Sequence, residues 1–313
     1  LRELAIDKGL KLNEYGVFRR GKRAEKRIAG RTEEEVYSAL GLPFIPPELR
    51  EDSGEIESAI KGTLPSLVEQ KQIKGDLHVH STYSDGSMTL EELVERARKM
   101  GYSYLLVSDH SQSLRIANGL SPERLLEQIE KIDKINSHLK GFKLLKGSEV
   151  DILPDGSLDF DDRILSRLDI VIAAVHSKFK MKRDEMTERI VKAMRNPYVN
   201  IIAHPTGRII GTRDEYQLDM DEIFKVAAET GTAIEINCHP LRLDLDSKNV
   251  RKAIGMGVII TLGTDAHNPK ELEYILYGIG IARRGWATPE NILNTLPASK
   301  LIKILHKKRS SAR

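Results

Sequence analysis

From Gly75 onward the chain alternates short apolar runs with amphipathic helical segments again and again, and few architectures accept that pattern. Strands are expected at residues 76–81, 104–110, 142–152, 170–177, 199–205, 233–240 and 258–267. Helices are expected between them at 90–100, 122–139, 183–195, 220–229, 247–256 and 270–284. Thr89 with Glu92 makes a capping box for the first helix, Ser121-Pro122 opens the second, and Gly101, Gly231 and Gly257 close others. Runs such as Ile170-Val171-Ile172-Ala173-Ala174-Val175 are apolar without alternation, which marks parallel strands buried on both faces. Repeated β/α units make an α/β protein, either a doubly wound sheet or a closed barrel.

What the strands end on separates these two. His78 and His80 alternate with Leu77 and Val79, so on a regular strand both imidazoles face one side and the apolar pair the other. Asp85 follows in a Ser-Asp-Gly turn. The second strand ends in His110, the third in Glu149, the fourth in His176, the fifth in His204, the sixth in Asn237 and His239, and the seventh in Asp265 and His267. Of nine histidines only His138, in a helix, and His306, in a basic tail, lie elsewhere. A lone strand-end histidine is commonly a hydrogen-bonded core residue. A full ring of ligand types is a barrel mouth, because barrels gather chemistry from many strand ends whereas doubly wound sheets concentrate it at one crevice. Imidazole with carboxylate and no thiolate suits zinc, iron or manganese, and so many ligands suit two or three ions. Such a cluster is built for phosphoester hydrolysis.

The 313 residues are enough for one domain of about 240 residues and a smaller appendage. Charge is nearly balanced, 49 Lys+Arg against 46 Asp+Glu, so the net value does not announce a nucleic-acid binder. Between Leu1 and Arg31, however, ten basic residues meet four acidic ones, a local +6 suited to phosphate contact or to a solvated face. Cys238 is the only cysteine, which excludes an internal disulfide and fits a reducing compartment. No apolar run reaches the roughly 18 residues of a membrane span and no signal-peptide pattern opens the chain, so a cytoplasmic protein is expected. Opening in helical pattern without Met, the chain is expected to be a piece of a longer one. Residues 1–9 read as a helix stopped by Gly9, and 10–18 as a small hairpin around Asn13 and Gly16. Thr32-Glu33-Glu34-Glu35 opens a short helix to Leu40. Pro43, Pro46 and Pro47 then forbid regular structure, and an amphipathic segment around Ile56 and Ile60 is broken by Gly62 and Pro65. A domain boundary is expected here.

His78-x-His80 with Asp85, Ser108-Asp109-His110, Gly147-Ser148-Glu149, Val175-His176-Ser177, Ala203-His204-Pro205 and Gly263-Thr264-Asp265-Ala266-His267 resemble the metal motifs of the polymerase and histidinol phosphatase (PHP) domain. Asn13-Glu14-Tyr15-Gly16, Thr32 to Tyr37, Ala39-Leu40-Gly41-Leu42-Pro43 and Ile45 to Glu51 resemble the end of the thumb subdomain of prokaryotic family X DNA polymerases. The resemblance implies a thumb piece of α+β type at 1–50, a linker at 51–74, and a distorted (β/α)7 barrel of PHP type at 75–313. It also implies that the fingers and palm precede Leu1, so this chain is not expected to polymerise DNA.

As to the site, the resemblance implies that His78, His80, Glu149 and Asp265 hold one ion. Glu149 bridges to a second held with His176 and His204, and Asp85, His110 and His267 hold a third. PHP proteins often carry His at the Asp85 position. The implied cofactors are two or three divalent ions, Mn²⁺, Zn²⁺ or Fe²⁺. Glu149, Asp265 and His267 are read as catalytic, with a metal-bridging hydroxide attacking phosphorus. Arg208, Arg213, Arg242 and His239 are read as substrate contacts, each arginine equally open to a structural salt bridge. Asp109 is read as a loop anchor, Asn237 as a lining residue, and Trp286 and Cys238 as packing. The implied activity is a phosphoesterase on DNA 3′ ends (3′-5′ exonuclease, 3′-phosphatase, abasic-site endonuclease), with gapped or single-stranded DNA as partner, in a prokaryotic cytoplasm near the nucleoid. The alternatives are a small-molecule phosphatase of histidinol-phosphate type and a non-catalytic brace for a polymerase. An amidohydrolase also opens its barrel with His-x-His, but Glu149 and the His267 that follows Asp265 fall outside that pattern.

Overall fold

The computed structural model describes residues 1–21 and 24–311, without the side chains of Arg20, Ser310 and Ser311. Lys22 and Arg23 of the basic run lie outside the described residues. The chain divides into two compact units, Leu1–Ser66 and Leu67–Arg313.

In the first unit, helix α1 (Arg2–Asp7) leads into strands β1 (Leu10–Asn13), β2 (Gly16–Arg20) and β3 (Glu25–Ala29), followed by α2 (Glu33–Ala39) and α3 (Glu55–Lys61). β1 and β2 pair from Leu10↔Arg19 to Asn13↔Gly16, which leaves a two-residue turn at Glu14 and Tyr15. A side chain at Gly16 would meet the Ala29 carbonyl at 2.2 Å, so this turn admits only glycine there. β3 is absent from the sequence reading, and its burial explains why. Of its residues only Ala29 is buried, so no alternation betrays a strand. Ala5, Val17, Ala29 and Leu40 make the small core, with Leu10, Leu12 and Val36 packed on it. Thr32 caps α2 by accepting from Glu35 N, and the Glu35 carboxylate returns to Arg31 N at 3.0 Å.

The second unit contains strands β4 (Gly75–Val79), β5 (Tyr104–Val107), β6 (Lys143–Asp151), β7 (Ile170–Ala174), β8 (Val199–Ile202), β9 (Ala233–Asn237) and β10 (Ile260–Gly263). They lie side by side in chain order, every neighbouring pair parallel. Helices α4 (Leu90–Lys99), α5 (Pro122–His138), α6 (Asp162–Leu165), α7 (Arg183–Arg195), α8 (Met220–Thr230), α9 (Ser247–Gly255), α10 (Ile275–Arg284) and α11 (Ala298–Ser311) complete it.

The first and last strands meet, which decides for a nearly closed barrel over an open sheet. At the upper end Val79 bridges Ala266, Asp265 N donates to His78 O at 2.9 Å and His80 N to Ala266 O at 2.9 Å. At the lower end the buried Asn294 knits the same seam: Nδ2 donates to Gly75 O and Leu262 O, both at 2.9 Å, and Oδ1 accepts from Leu262 N. Inward-facing Leu106, Leu145, Ile172 and Ile201 fill the interior, while Val171 and Ala173 turn outward into the cluster that holds Met186 and Ile190 of α7.

One expectation is corrected here, and two helices absent from the sequence reading appear. Leu77 and Val79 do not share a face: a register irregularity between Asp76 and Val79 puts Leu77 in the interior cluster and Val79 with Leu90 and Leu93 of α4. The basic tail is a helix. Leu301 and Leu305 of α11 join Tyr104, Ile170 and Ala233, the first residues of their strands, so α11 plugs the lower mouth of the barrel. α6 also appears, too short for a helical period to register.

Candidate metal centre

The strand ends converge. His78 and His80 close β4 with ring centroids 5.2 Å apart, and their Nε2 atoms lie 3.5 and 3.0 Å from Asp265 Oδ1. Glu149, near the end of β6, stands at the centre. Its Oε1 is 2.8 Å from His204 Nε2 and 3.2 Å from His176 Nε2, and its Oε2 is 2.9 Å from His110 Nδ1 and 3.4 Å from His78 Nε2. Asp85 lies 3.3 Å from His267 Nε2 and 3.7 Å from His110 Nε2. Three overlapping sets could each hold an ion: His78, His80, Glu149 and Asp265; His110, Glu149 and His176; His80, Asp85, His110 and His267. In each set the ligand atoms all lie within 4.8 Å of one another. The structure thus places His80 and His110 in two roles each. His204 sits beside the second set through Glu149 Oε1.

The donors fit divalent ions on an observation independent of the count. His78 Nε2, His80 Nδ1, His110 Nδ1 and Glu149 Oε2 are buried and none has a hydrogen-bond partner, although His110 Nδ1 and Glu149 Oε2 are only 2.9 Å apart. Buried polar atoms left so are costly, and atoms that close without hydrogen-bond alignment aim at a common third centre. The far nitrogens of His78, His176 and His267 are held. His78 Nδ1 donates to Glu235 Oε1 at 2.6 Å, His176 Nδ1 to Asp151 Oδ1 at 2.5 Å, and His267 Nδ1 to Asp265 O at 2.7 Å. Each bond fixes the tautomer that leaves Nε2 as a lone pair toward the centre.

Glu235 and Asp151 escape the sequence reading because neither ends a strand beside a histidine. Glu235 lies one pleat below Asn237, and its second oxygen accepts His204 N at 2.8 Å. A Cβ at Gly263 would meet Glu235 Oε1 at 2.2 Å and His78 Cβ at 2.5 Å, so the glycine before Thr264-Asp265 makes room for this pair. Asn237 does more than line the mouth: its Nδ2 donates to Asp265 Oδ2 at 3.1 Å. Asp109 turns away and accepts from Ser81 N, Ser81 Oγ and Ser84 Oγ at 2.8, 2.6 and 2.5 Å, which shapes the turn carrying Asp85. Two of the residues expected to be ligands are strained, His204 at φ 26° and Asp265 at φ 55°. Strain of this kind persists where the surroundings impose a geometry.

Electrostatics follow from this packing. Burial opposes charge on every group, yet the Glu149 and Asp151 carboxylates push His176 up to about 10. Burial likewise opposes His267, and Asp85 and Asp265 push it up to about 9. Glu149 and Asp265 are held well below the usual carboxylate range despite burial, by the imidazoles around them. His80 is pushed down to about 3 by burial and by His110 and His267.

The sequence profile of the PHP domain matches residues 76–239, more than half of the chain. The chain belongs to the PHP domain family. PHP domains are metal-dependent phosphoesterases, and the profile of the DNA polymerase beta thumb matches residues 1–51. The chain is 44% identical over 294 residues to the DNA polymerase/3′-5′ exonuclease PolX of Bacillus subtilis, an alignment that takes in 94% of this chain and 51% of PolX. It therefore spans about half the length of that relative. It is also 28% identical to a probable phosphatase of Syntrophotalea carbinolica over 70% of this chain and 90% of that protein. Among solved structures, a candidate histidinol phosphatase of Listeria monocytogenes superposes with a TM-score of 0.52 at 14% identity, over 64% of this chain and 97% of its own, a likeness of fold.

Around this candidate metal centre the four polar residues expected to meet substrate part company. Arg208 is spent: Nε donates to Arg242 O at 2.7 Å, Nη1 to Glu215 Oε1 at 3.1 Å and Nη2 to Leu243 O, so it braces two loops. Arg213 donates from Nε to Gly207 O at 2.7 Å and lies 4.0 Å over the Phe179 ring. Arg242 and His239 instead line a cavity of about 200 Å³ with Leu241, Asp265 and His267. Arg242 Nη1 is buried without a hydrogen-bond partner, and its Nε is 3.5 Å from Asp265 Oδ2.

Proposed function

We propose that this PHP barrel is a metal-dependent phosphoesterase that acts on DNA 3′ ends within a longer family X repair polymerase of a prokaryotic cytoplasm. The observation that carries the reading is the convergence at one mouth of eight side chains, His78, His80, Asp85, His110, Glu149, His176, Asp265 and His267, in three overlapping ligand sets, with His204 beside them 2.8 Å from Glu149 Oε1. Two or three divalent ions, Mn²⁺, Zn²⁺ or Fe²⁺, would supply there an activated water and positive charge for phosphate oxygens.

The chain's own residues prepare that chemistry. Glu149 reaches two sets through separate oxygens and would hold neighbouring ions at a fixed spacing. Asp265, oriented by Asn237, and His267, oriented by its own strand-end carbonyl, face the cavity from the ligand side. Arg242 offers its unpartnered Nη1 to a phosphate oxygen from the other side. The complete ligand ring weighs against a non-catalytic brace. The thumb match and the local excess of basic residues between Leu1 and Arg31 favour DNA over a small phosphomonoester.

The test uses a 5′-labelled single-stranded oligonucleotide and metal-stripped protein reloaded with Mn²⁺, Zn²⁺, Fe²⁺ or Mg²⁺. Stepwise shortening from the 3′ end, lost in His78→Ala, is the expected result. Inactivity on DNA with brisk phosphate release from histidinol phosphate would move the assignment to a small-molecule phosphatase.

A further inference from the structure

The loop at residues 111–119, between β5 and α5, starts on the residue after His110 and closes on itself at its base, where Ser111 bridges Leu120 and Leu120 N donates to His110 O at 2.8 Å. Its far side is tied to the turn that carries Asp85: Asn118 Nδ2 donates to Tyr83 O at 3.1 Å and to Ser84 O at 3.2 Å. Its near side is tied to the end of β6, where Ser113 Oγ donates to Asp151 Oδ2 at 2.7 Å, and to the loop after β6, where Ser113 N donates to Asp159 Oδ2 at 2.7 Å. Gly119 packs so closely that a Cβ would meet Ser111 O at 2.0 Å. The loop therefore stands at the rim of the metal centre on struts from both sides.

At the tip of this braced loop Ile116 is 97% exposed, more than any other large apolar side chain among the described residues, with Arg115 exposed beside it. An isolated exposed aliphatic residue on a free surface needs no account. A rigid mount is different, because the loop cannot fold the side chain back. The opposite rim has the same chemistry. Ile210 and Leu241, each about half exposed, are joined by an Ile210 N to Leu241 O bond of 2.6 Å, and Leu241 walls the cavity floored by Arg242, Asp265 and His267.

We infer that Ile116 is a strand-separating wedge, which packs against the last base pair of a duplex end and lets the 3′-terminal nucleotide enter the mouth unpaired. Aliphatic side chains inserted between base steps partly unstack duplex DNA, the first part of what opening an end requires, and Arg115 is placed to hold the phosphate next to the separated base. The inference rests on the DNA-end reading of the site. It deepens that reading by assigning where duplex ends are opened.

The test compares wild type with Ile116→Ala and Ile116→Asp on three substrates: a single-stranded oligonucleotide, a blunt duplex with the same 3′ sequence, and para-nitrophenyl phosphate. Both variants are expected to keep their rate on the single strand and the small ester and to lose about tenfold or more on the blunt end, since unpairing the terminal step costs a few kcal/mol. A ratio of single-strand to duplex rates that neither variant changes, in an enzyme that degrades DNA, overturns the wedge alone. Wild-type protein inactive on both DNAs yet active on the small ester overturns the DNA reading and the wedge with it.

Discussion

Glu235 binds no ion in any of the three ligand sets, yet it decides which nitrogen of His78 is free to do so. Its carboxylate takes the Nδ1 proton at 2.6 Å, and its other oxygen holds the His204 backbone at 2.8 Å, so one buried side chain orients two of the proposed ligands. Carboxylates behind ligating histidines commonly contribute one to two orders of magnitude in metal affinity. Glu235→Gln is therefore expected to weaken metal binding about 10–100-fold in a calorimetric titration; an unchanged affinity would reduce Glu235 to a packing residue. A second buried acid acts on stability. Asp244 Oδ2 accepts from Thr206 N and Thr206 Oγ1, both at 2.8 Å, and from Gly207 N at 3.1 Å, while burial pushes the group up to about 7 from an ordinary 3.8. Between those values the folded chain holds a proton the unfolded chain has lost, so this group's contribution falls as pH rises from 3.8 to about 7. Melting temperatures across that window should decline less steeply in Asp244→Asn than in wild type.

At the scale of the element, α11 has the least legible sequence and a large structural task. Its Leu301 and Leu305 close the lower mouth, Lys308 Nζ donates to Val199 O and Thr232 Oγ1 at 2.9 Å each and to Met194 O, and Asn200 Nδ2 reaches Leu305 O at 3.1 Å. Ala298, Ile302 and Ile304 pack beside the two leucines, but the lysines and arginines of the same stretch make a sequence scan see a cationic tail. Leu305→Ala empties part of that plug and is expected to cost about 2–5 kcal/mol in denaturant unfolding. Metal content should stay at the wild-type value, because the metal centre is at the other end of the strands. Loss of both together would show that plug and mouth are coupled. The irregular β4 belongs to the same scale. A regular strand would put Leu77 and Val79 on one side, and the register shift after Asp76 divides them between interior and α4.

For the whole molecule, the candidate metal centre is expected to act also as a clamp. The proposed ligands come from the ends of β4, β5, β6, β7, β8 and β10 and from one turn, so bound ions would tie six strands at their upper ends while Asn294 and α11 tie them below. Chelation should leave the far-ultraviolet dichroism intact, because the apolar clusters hold the barrel, yet lower the melting temperature by several degrees, restored when metal is returned. Mass spectrometry of the reloaded protein should find two or three ions per chain, and a melting temperature indifferent to metal would contradict the clamp. The alternation of strands and helices, the parallel sheet and the ring of ligand types were written in local order, because apolar period and strand-end chemistry are properties of a few consecutive residues. What each polar group faces was not. His78 and Glu235 are 157 positions apart; Arg208 is consumed by the carbonyls of Arg242 and Leu243; Ile116 stands out only because its loop is braced from both sides. Such pairings exist only once the barrel brings distant strand ends within a few ångströms, so tertiary structure alone decided which side chains gather at the mouth, which orient them and which merely hold the loops.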